Sequence, residues 1–169
     1  MNYIVHAYRI MCELAKYIYD WKNIDDIERA VNKYGCATWT NNLRVEFGSS
    51  RIVIVGPDFA VKWDYDDKST IHIGGCEDEL MMYEYARRIN KDYLFAKISC
   101  IYIHGMLLYV MPRVRVYGKS IEIYMDEKNL DWLRIMISDL HSFNWGMLHN
   151  KPVMIDYACY NKYNIKSPS

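Results

Sequence analysis

Net charge is the first thing this sequence lacks: 21 basic residues are balanced by 21 acidic ones. Without an excess of one sign there is no global electrostatic case for nucleic acid or an anionic membrane, so neither is expected as a partner. Paired cysteines are missing as well. Cys12, Cys36, Cys76, Cys100 and Cys159 stand singly, with no Cys-x-x-Cys pair to suggest a zinc site. Their odd, dispersed set fits reduced thiols in a cytoplasmic protein. No apolar run is long enough to span a membrane. The start, MNYIVHAYRIMCELAKY, carries Arg9, Glu13 and Lys16 within its apolar pattern and does not read as a signal peptide. Internal repeats and low-complexity segments are absent too.

What is present is the material of a core. Hydrophobic residues make up 51% of the 169 positions and 16 residues are tyrosine, which argues against disorder. Residues 2–34 read as two helices. Ile4, Tyr8, Met11, Ala15 and Ile18 recur at spacings of four and three, giving one apolar stripe. Asn23 is a good N-cap for the second helix, Asp25 and Asp26 suit its first turn, and Gly35 is expected to end it. This segment is either a helical cap on the following domain or a partner-binding or dimer surface.

Beyond it the pattern becomes strand-like. Arg51–Val55 is an apolar run, Gly56-Pro57-Asp58 a turn, and Phe59–Trp63 the next strand. Lys62 lies inside that strand between apolar neighbours, and an ammonium buried without partners is costly. Residues 77–90 have helical spacing, with Met82, Ala86 and Ile89 on one face. Phe95–Ile103 and Met106–Val110 form a hairpin across His104-Gly105, running into Met111-Pro112-Arg113, where proline prevents the strand continuing. Residues 126–137 suggest a short amphipathic helix with Leu130, Leu133 and Ile137 inward. Helices and hairpins in this order predict an α+β fold.

The chemistry concentrates in Ile135–Ala158. Asp139 is followed five positions later by Asn144, then by the hairpin signal Asn150-Lys151-Pro152, the run Val153–Ile155, and Asp156. Phosphoryl transfer needs these residue types: a carboxylate to orient the attacking hydroxyl, then an amide oxygen and a second carboxylate to hold magnesium. The segment Asp139-Leu140-His141-Ser142-Phe143-Asn144 resembles the Asp-Leu-His-x-x-Asn loop of aminoglycoside and choline phosphotransferases. Ile155-Asp156-Tyr157-Ala158 is similar to their Ile-Asp-aromatic ending, and the order of the pieces resembles the protein-kinase catalytic loop and metal motif. Ile137 and Ser138 stand where these families usually carry a histidine.

The resemblance implies a protein-kinase-like N-lobe with an antiparallel sheet and helix C at about residues 37–112. It implies a strongly truncated C-lobe at 113–169, and an N-terminal helical extension at 1–35. It implies a phosphate loop at Gly48, Ser49 and Ser50, although a full glycine-rich loop is missing. Lys62 would meet the α- and β-phosphates, paired with a glutamate of helix C; Glu79 is chosen over Glu77 and Glu84. Met111 and Arg113 would belong to the hinge lining the adenine. Asp139 would be catalytic, Asn144 and Asp156 would hold magnesium, and ATP would be the donor. The acceptor is an unassigned protein or small molecule. The hinge and the catalytic loop are closer together than usual, and only 13 residues follow Asp156. Self-association into a homo-oligomer, or residues 1–34, would have to supply the missing surface.

Small size makes the chain resemble the minimal kinase-like proteins of some bacteriophages, which would place it in host cytoplasm. The alternative is a pseudokinase-like binding protein that engages a host or cellular partner without catalysis. A metal hydrolase using Asp139, His141 and His149 is a third reading.

Overall fold

Two helices and five strands share one core in the first of the chain's two compact units. That unit comprises residues 1–71 and 98–113, the second 72–97 and 114–169. The computed structural model describes residues 2–38, 43–48, 51–65, 75–116, 125–126, 128, 130–140 and 142–157. The architecture is α+β.

In the first unit, α1 (Tyr3–Leu14) starts where Asn2 Oδ1 accepts the Ile4 N–H at 3.0 Å. The link to α2 (Ile24–Thr38) is held by carboxylate and amide caps. Asp26 Oδ2 accepts the N–H groups of Tyr19 and Asp20 at 2.6 and 2.8 Å, and Asn23 Oδ1 accepts that of Asp26 at 3.2 Å. Helix α2 does not stop at Gly35. It runs on to Thr38, with Gly35 buried inside it. A glycine in a helix costs only about 1 kcal/mol relative to alanine, which helix packing outweighs.

Strands β1 (Arg44–Phe47), β2 (Arg51–Val55), β3 (Phe59–Asp64), β4 (Ser99–Ile103) and β5 (Met106–Pro112) form an antiparallel sheet in the order β1-β2-β3-β5-β4. Alternation decides its two faces. Ile52, Ile54, Phe59, Val61, Trp63, Ile101, Ile103, Leu108 and Val110 join Ala7, Met11, Leu14 and Ile27 of the helices in a single cluster. Trp63 also donates from Nε1 to the Trp21 carbonyl at 2.8 Å, tying β3 to the α1–α2 link. The strand expected from Phe95 begins only at Ser99. His104 and Gly105, with φ of 48° and 82°, make the tight turn between β4 and β5.

The second unit contains α3 (Cys76–Arg88), β6 (Arg115–Val116), α4 (Asp131–Met136), β7 (Trp145–Leu148) and β8 (Lys151–Met154). Its three strands pair in the order β6-β7-β8. Ile89, expected on the inner face of α3, instead follows the helix and is 37% exposed. Helix α4 is shorter than its apolar spacing suggests, but Leu130, Leu133 and Ile137 are all buried. The β7–β8 turn falls earlier than the proline implies. His149 and Asn150 take φ of 49° and 63°, and Lys151 and Pro152 already belong to β8. Edge position explains the tolerance, since an edge strand has a side on which proline's missing N–H breaks no ladder.

Candidate active site

Asn144 organises the second unit's candidate residues. It sits at the end of a 3₁₀ turn, Ser142–Asn144, and is 6% exposed. Its side-chain Nδ2 donates to the Asp139 carbonyl at 2.9 Å. Its main-chain carbonyl accepts from Ile155 N–H at 2.8 Å and from Asp156 N–H at 3.4 Å. One buried residue therefore joins the three positions that local sequence pattern singles out, although Asp139 and Asp156 are 17 positions apart. With Nδ2 committed to a carbonyl, Oδ1 is the amide atom suited to a cation.

The strand leading to Asp156 is clamped from its other side. Ala96 N–H donates to the Met154 carbonyl at 2.8 Å, and Tyr157 Oη–H donates to the Ala96 carbonyl at 2.9 Å. The Phe95 and Tyr157 rings meet edge to face at 5.0 Å. Both Asp139 and Asp156 are half-buried. A carboxylate and an amide oxygen are hard donors of the kind magnesium takes, with water and phosphate completing its shell. These residues fit that ion, whereas the described residues contain no group of three or more His, Cys, Asp and Glu suited to holding a metal. His149 lies in the exposed β7–β8 turn, and His141 lies outside the described residues.

On α3, the three glutamates separate by burial. Glu79 is fully buried, Glu77 is exposed, and Glu84 forms an ion pair with Arg87 at 3.1 Å. Asp78, which no sequence pattern marked, is also buried.

In the first unit, Lys62 is 8% exposed on β3 and alternates with Val61 and Trp63, so it lies on the sheet face opposite the helical core. It pairs across the strands with Val53 on β2 and Tyr109 on β5. Tyr109 in turn faces Cys100 on β4, whose thiol is pushed up by burial. Met111 lies two residues beyond Tyr109 and is buried. The β4 ladder ends at Ser99 opposite Val110, so Met111 pairs within the sheet only with β3. Arg113 is exposed, and its main-chain N–H donates to the Asp58 carbonyl at 2.9 Å. Gly48 closes the β1–β2 connection by donating its N–H to the Arg51 carbonyl at 2.9 Å. A Cβ at Gly48 would meet nothing nearer than 3.8 Å, so the fold does not demand glycine there. Ser49 and Ser50 lie outside the described residues.

No helix among the described residues is long and apolar enough to cross a membrane. Comparison with protein-family models, curated proteins and solved structures finds no match to this chain.

Proposed function

We propose that this chain is an ATP- and magnesium-dependent phosphotransferase of kinase-like type, acting on a hydroxyl of a protein or small molecule. The observation that carries the reading is the Asn144 knot, which holds Asp139, Asn144 and the Asp156 backbone in one hydrogen-bonded unit. In this reading the Asp139 carboxylate orients the acceptor hydroxyl and takes its proton. Asn144 Oδ1 and the Asp156 carboxylate hold magnesium, which neutralises charge on the transferring phosphates. Lys62 adds a fixed cation for the donor's phosphates.

Three further features support it. The elements follow the order the resemblance implies: a turn at Gly48, lysine on the third strand, a helix, then a hairpin whose second strand ends at Met111-Pro112. Lys62 and Glu79, the lysine and glutamate that the resemblance pairs, are both buried. Beyond Val110 the outer edge of β5 is not paired by β4, and the Pro112 carbonyl on that edge is a group of the kind an adenine amine uses.

A pseudokinase-like binding protein is the second reading, favoured by Gly48. Its N–H already closes a turn on Arg51, so it is not available to grip a phosphate. Incubating the purified chain with magnesium and ATP and weighing it by mass spectrometry tests the choice. A gain of one phosphoryl group, lost in Asp139→Asn, supports transfer; an unmodified chain that binds ATP supports the second reading.

A further inference from the structure

An imidazole joins α1 to the turn beside the proposed hinge. His6 Nδ1 lies 2.6 Å from Asp58 Oδ1, and an ionised carboxylate can only accept, so Nδ1 carries the proton. The imidazole also meets the Phe59 ring edge to face at 5.6 Å. The pair is partly shielded, with side chains 28% and 39% exposed. His6 stands on a helix whose Ala7, Ile10, Met11 and Leu14 are fixed in the core, so it acts as a firm post.

Asp58 belongs to the β2–β3 turn, which has little freedom of its own. Gly56 N–H donates to the Phe59 carbonyl at 2.9 Å, and a Cβ on Gly56 would strike the Phe59 ring at 2.3 Å. This turn holds the end of β5 twice. The Asp58 carbonyl accepts the Arg113 N–H at 2.9 Å, and the Gly56 carbonyl accepts from Arg113 Nη1 at 3.1 Å. Pro112 has no N–H to offer, so the Arg113 bonds are the next main-chain restraint after the sheet ladder ends.

We infer that His6 and Asp58 are positioning residues for the nucleotide base: they fix the turn that fixes Arg113, and so set the end of β5, where the Pro112 carbonyl faces away from β3. This rests on the phosphotransferase reading, and it turns α1 from a cover on the sheet into part of the base site. The base, not the phosphates, should feel the loss of the pair.

The test is to titrate full-length wild type, His6→Ala, His6→Gln and Asp58→Asn with adenosine, magnesium tripolyphosphate and magnesium-ATP. His6→Ala should weaken adenosine and magnesium-ATP by a common factor of about five, the worth of one net hydrogen bond, with tripolyphosphate unchanged. His6→Gln, which keeps a donor, should recover most of the loss, and Asp58→Asn, which keeps an acceptor oxygen, should lose less than His6→Ala. Equal weakening of adenosine and tripolyphosphate, or no weakening of either, overturns the inference while wild-type binding leaves the functional reading standing. A wild type that binds neither adenosine nor magnesium-ATP overturns both.

Discussion

At the scale of single residues, Asn144 serves as hub because its two polar ends face different segments, the Asp139 carbonyl and the Ile155–Asp156 amides. Roles divide accordingly. In the proposed reading Asp156→Asn deletes a charge facing a dication and its phosphates, and it should then remove most magnesium-dependent ATP binding. Asp139→Asn should leave that binding nearly intact, because in the same reading its partner is the acceptor hydroxyl. Calorimetric titration with ATP, with and without magnesium, checks both; equal losses would reverse the assignment. Gly48→Ala asks whether the β1–β2 connection meets phosphate. Since a Cβ has room there, fold stability should stay within about 0.5 kcal/mol of wild type. A fall in ATP affinity of the same variant would then report close approach of a ligand, and an unchanged affinity would remove Gly48 from the site. Asp139, Asn144 and Asp156 were legible because their chemistry is residue-specific and their spacing short. Lys62 was legible because a strand lysine between apolar neighbours is conspicuous. The His6–Asp58 pair was not, since 52 positions separate the partners and neither sits in a motif. Asp78 was hidden for another reason: three neighbouring carboxylates in one helical turn look alike until burial sorts them.

Elements were easier to detect than to delimit. The tight turn at His104-Gly105 followed from its glycine, whereas the one at His149-Asn150 was displaced toward Pro152 because proline is the louder signal. Edge position on β8 makes that proline harmless, and edge position is a property of the sheet that no local window contains. Gly35 misled in the same way: tertiary packing of α2 carried the helix past it. The apolar stripe on α1 correctly marked Met11 and Ala15 as buried, yet Tyr8, counted in the same stripe, is 47% exposed. How far α1 belongs to the sheet is measurable. Met11 is fully buried in the shared cluster, so Met11→Ala should cost about 2–5 kcal/mol in urea unfolding. Val5, on the exposed side of the same helix at 45%, should tolerate alanine within about 0.5 kcal/mol. Similar small effects at both positions would mean that the sheet does not depend on the helix.

For the molecule as a whole, ligand binding should register as stability. A nucleotide that binds the folded chain alone stabilises it by about 2.7 kcal/mol at a hundredfold excess over its dissociation constant. For a chain of 169 residues this means a midpoint rise of roughly 5–10 °C. The rise should require magnesium, vanish in Asp156→Asn and persist in Asp139→Asn; a flat titration at millimolar ATP counts against the whole reading. Whether binding leads on to chemistry is a separate question, and the two carboxylates bear on it. Asp139 and Asp156 are both tied by their backbones to Asn144. A scaffold that acts by shape has no need of both carboxylates, whereas a phosphotransferase does. Against this, positioning supplies much of the rate in phosphoryl transfer, and Phe143, inside the loop that would meet the acceptor, is 76% exposed. An enzyme built this way should be slow toward free small alcohols and should label itself or a bound protein more readily. Phosphoryl incorporation followed by mass spectrometry, in wild type and in an Asp139→Asn variant that still gives the thermal shift, decides the matter. Incorporation that disappears with Asp139 establishes transfer through that carboxylate, and incorporation at the wild-type rate without it assigns the chemistry elsewhere.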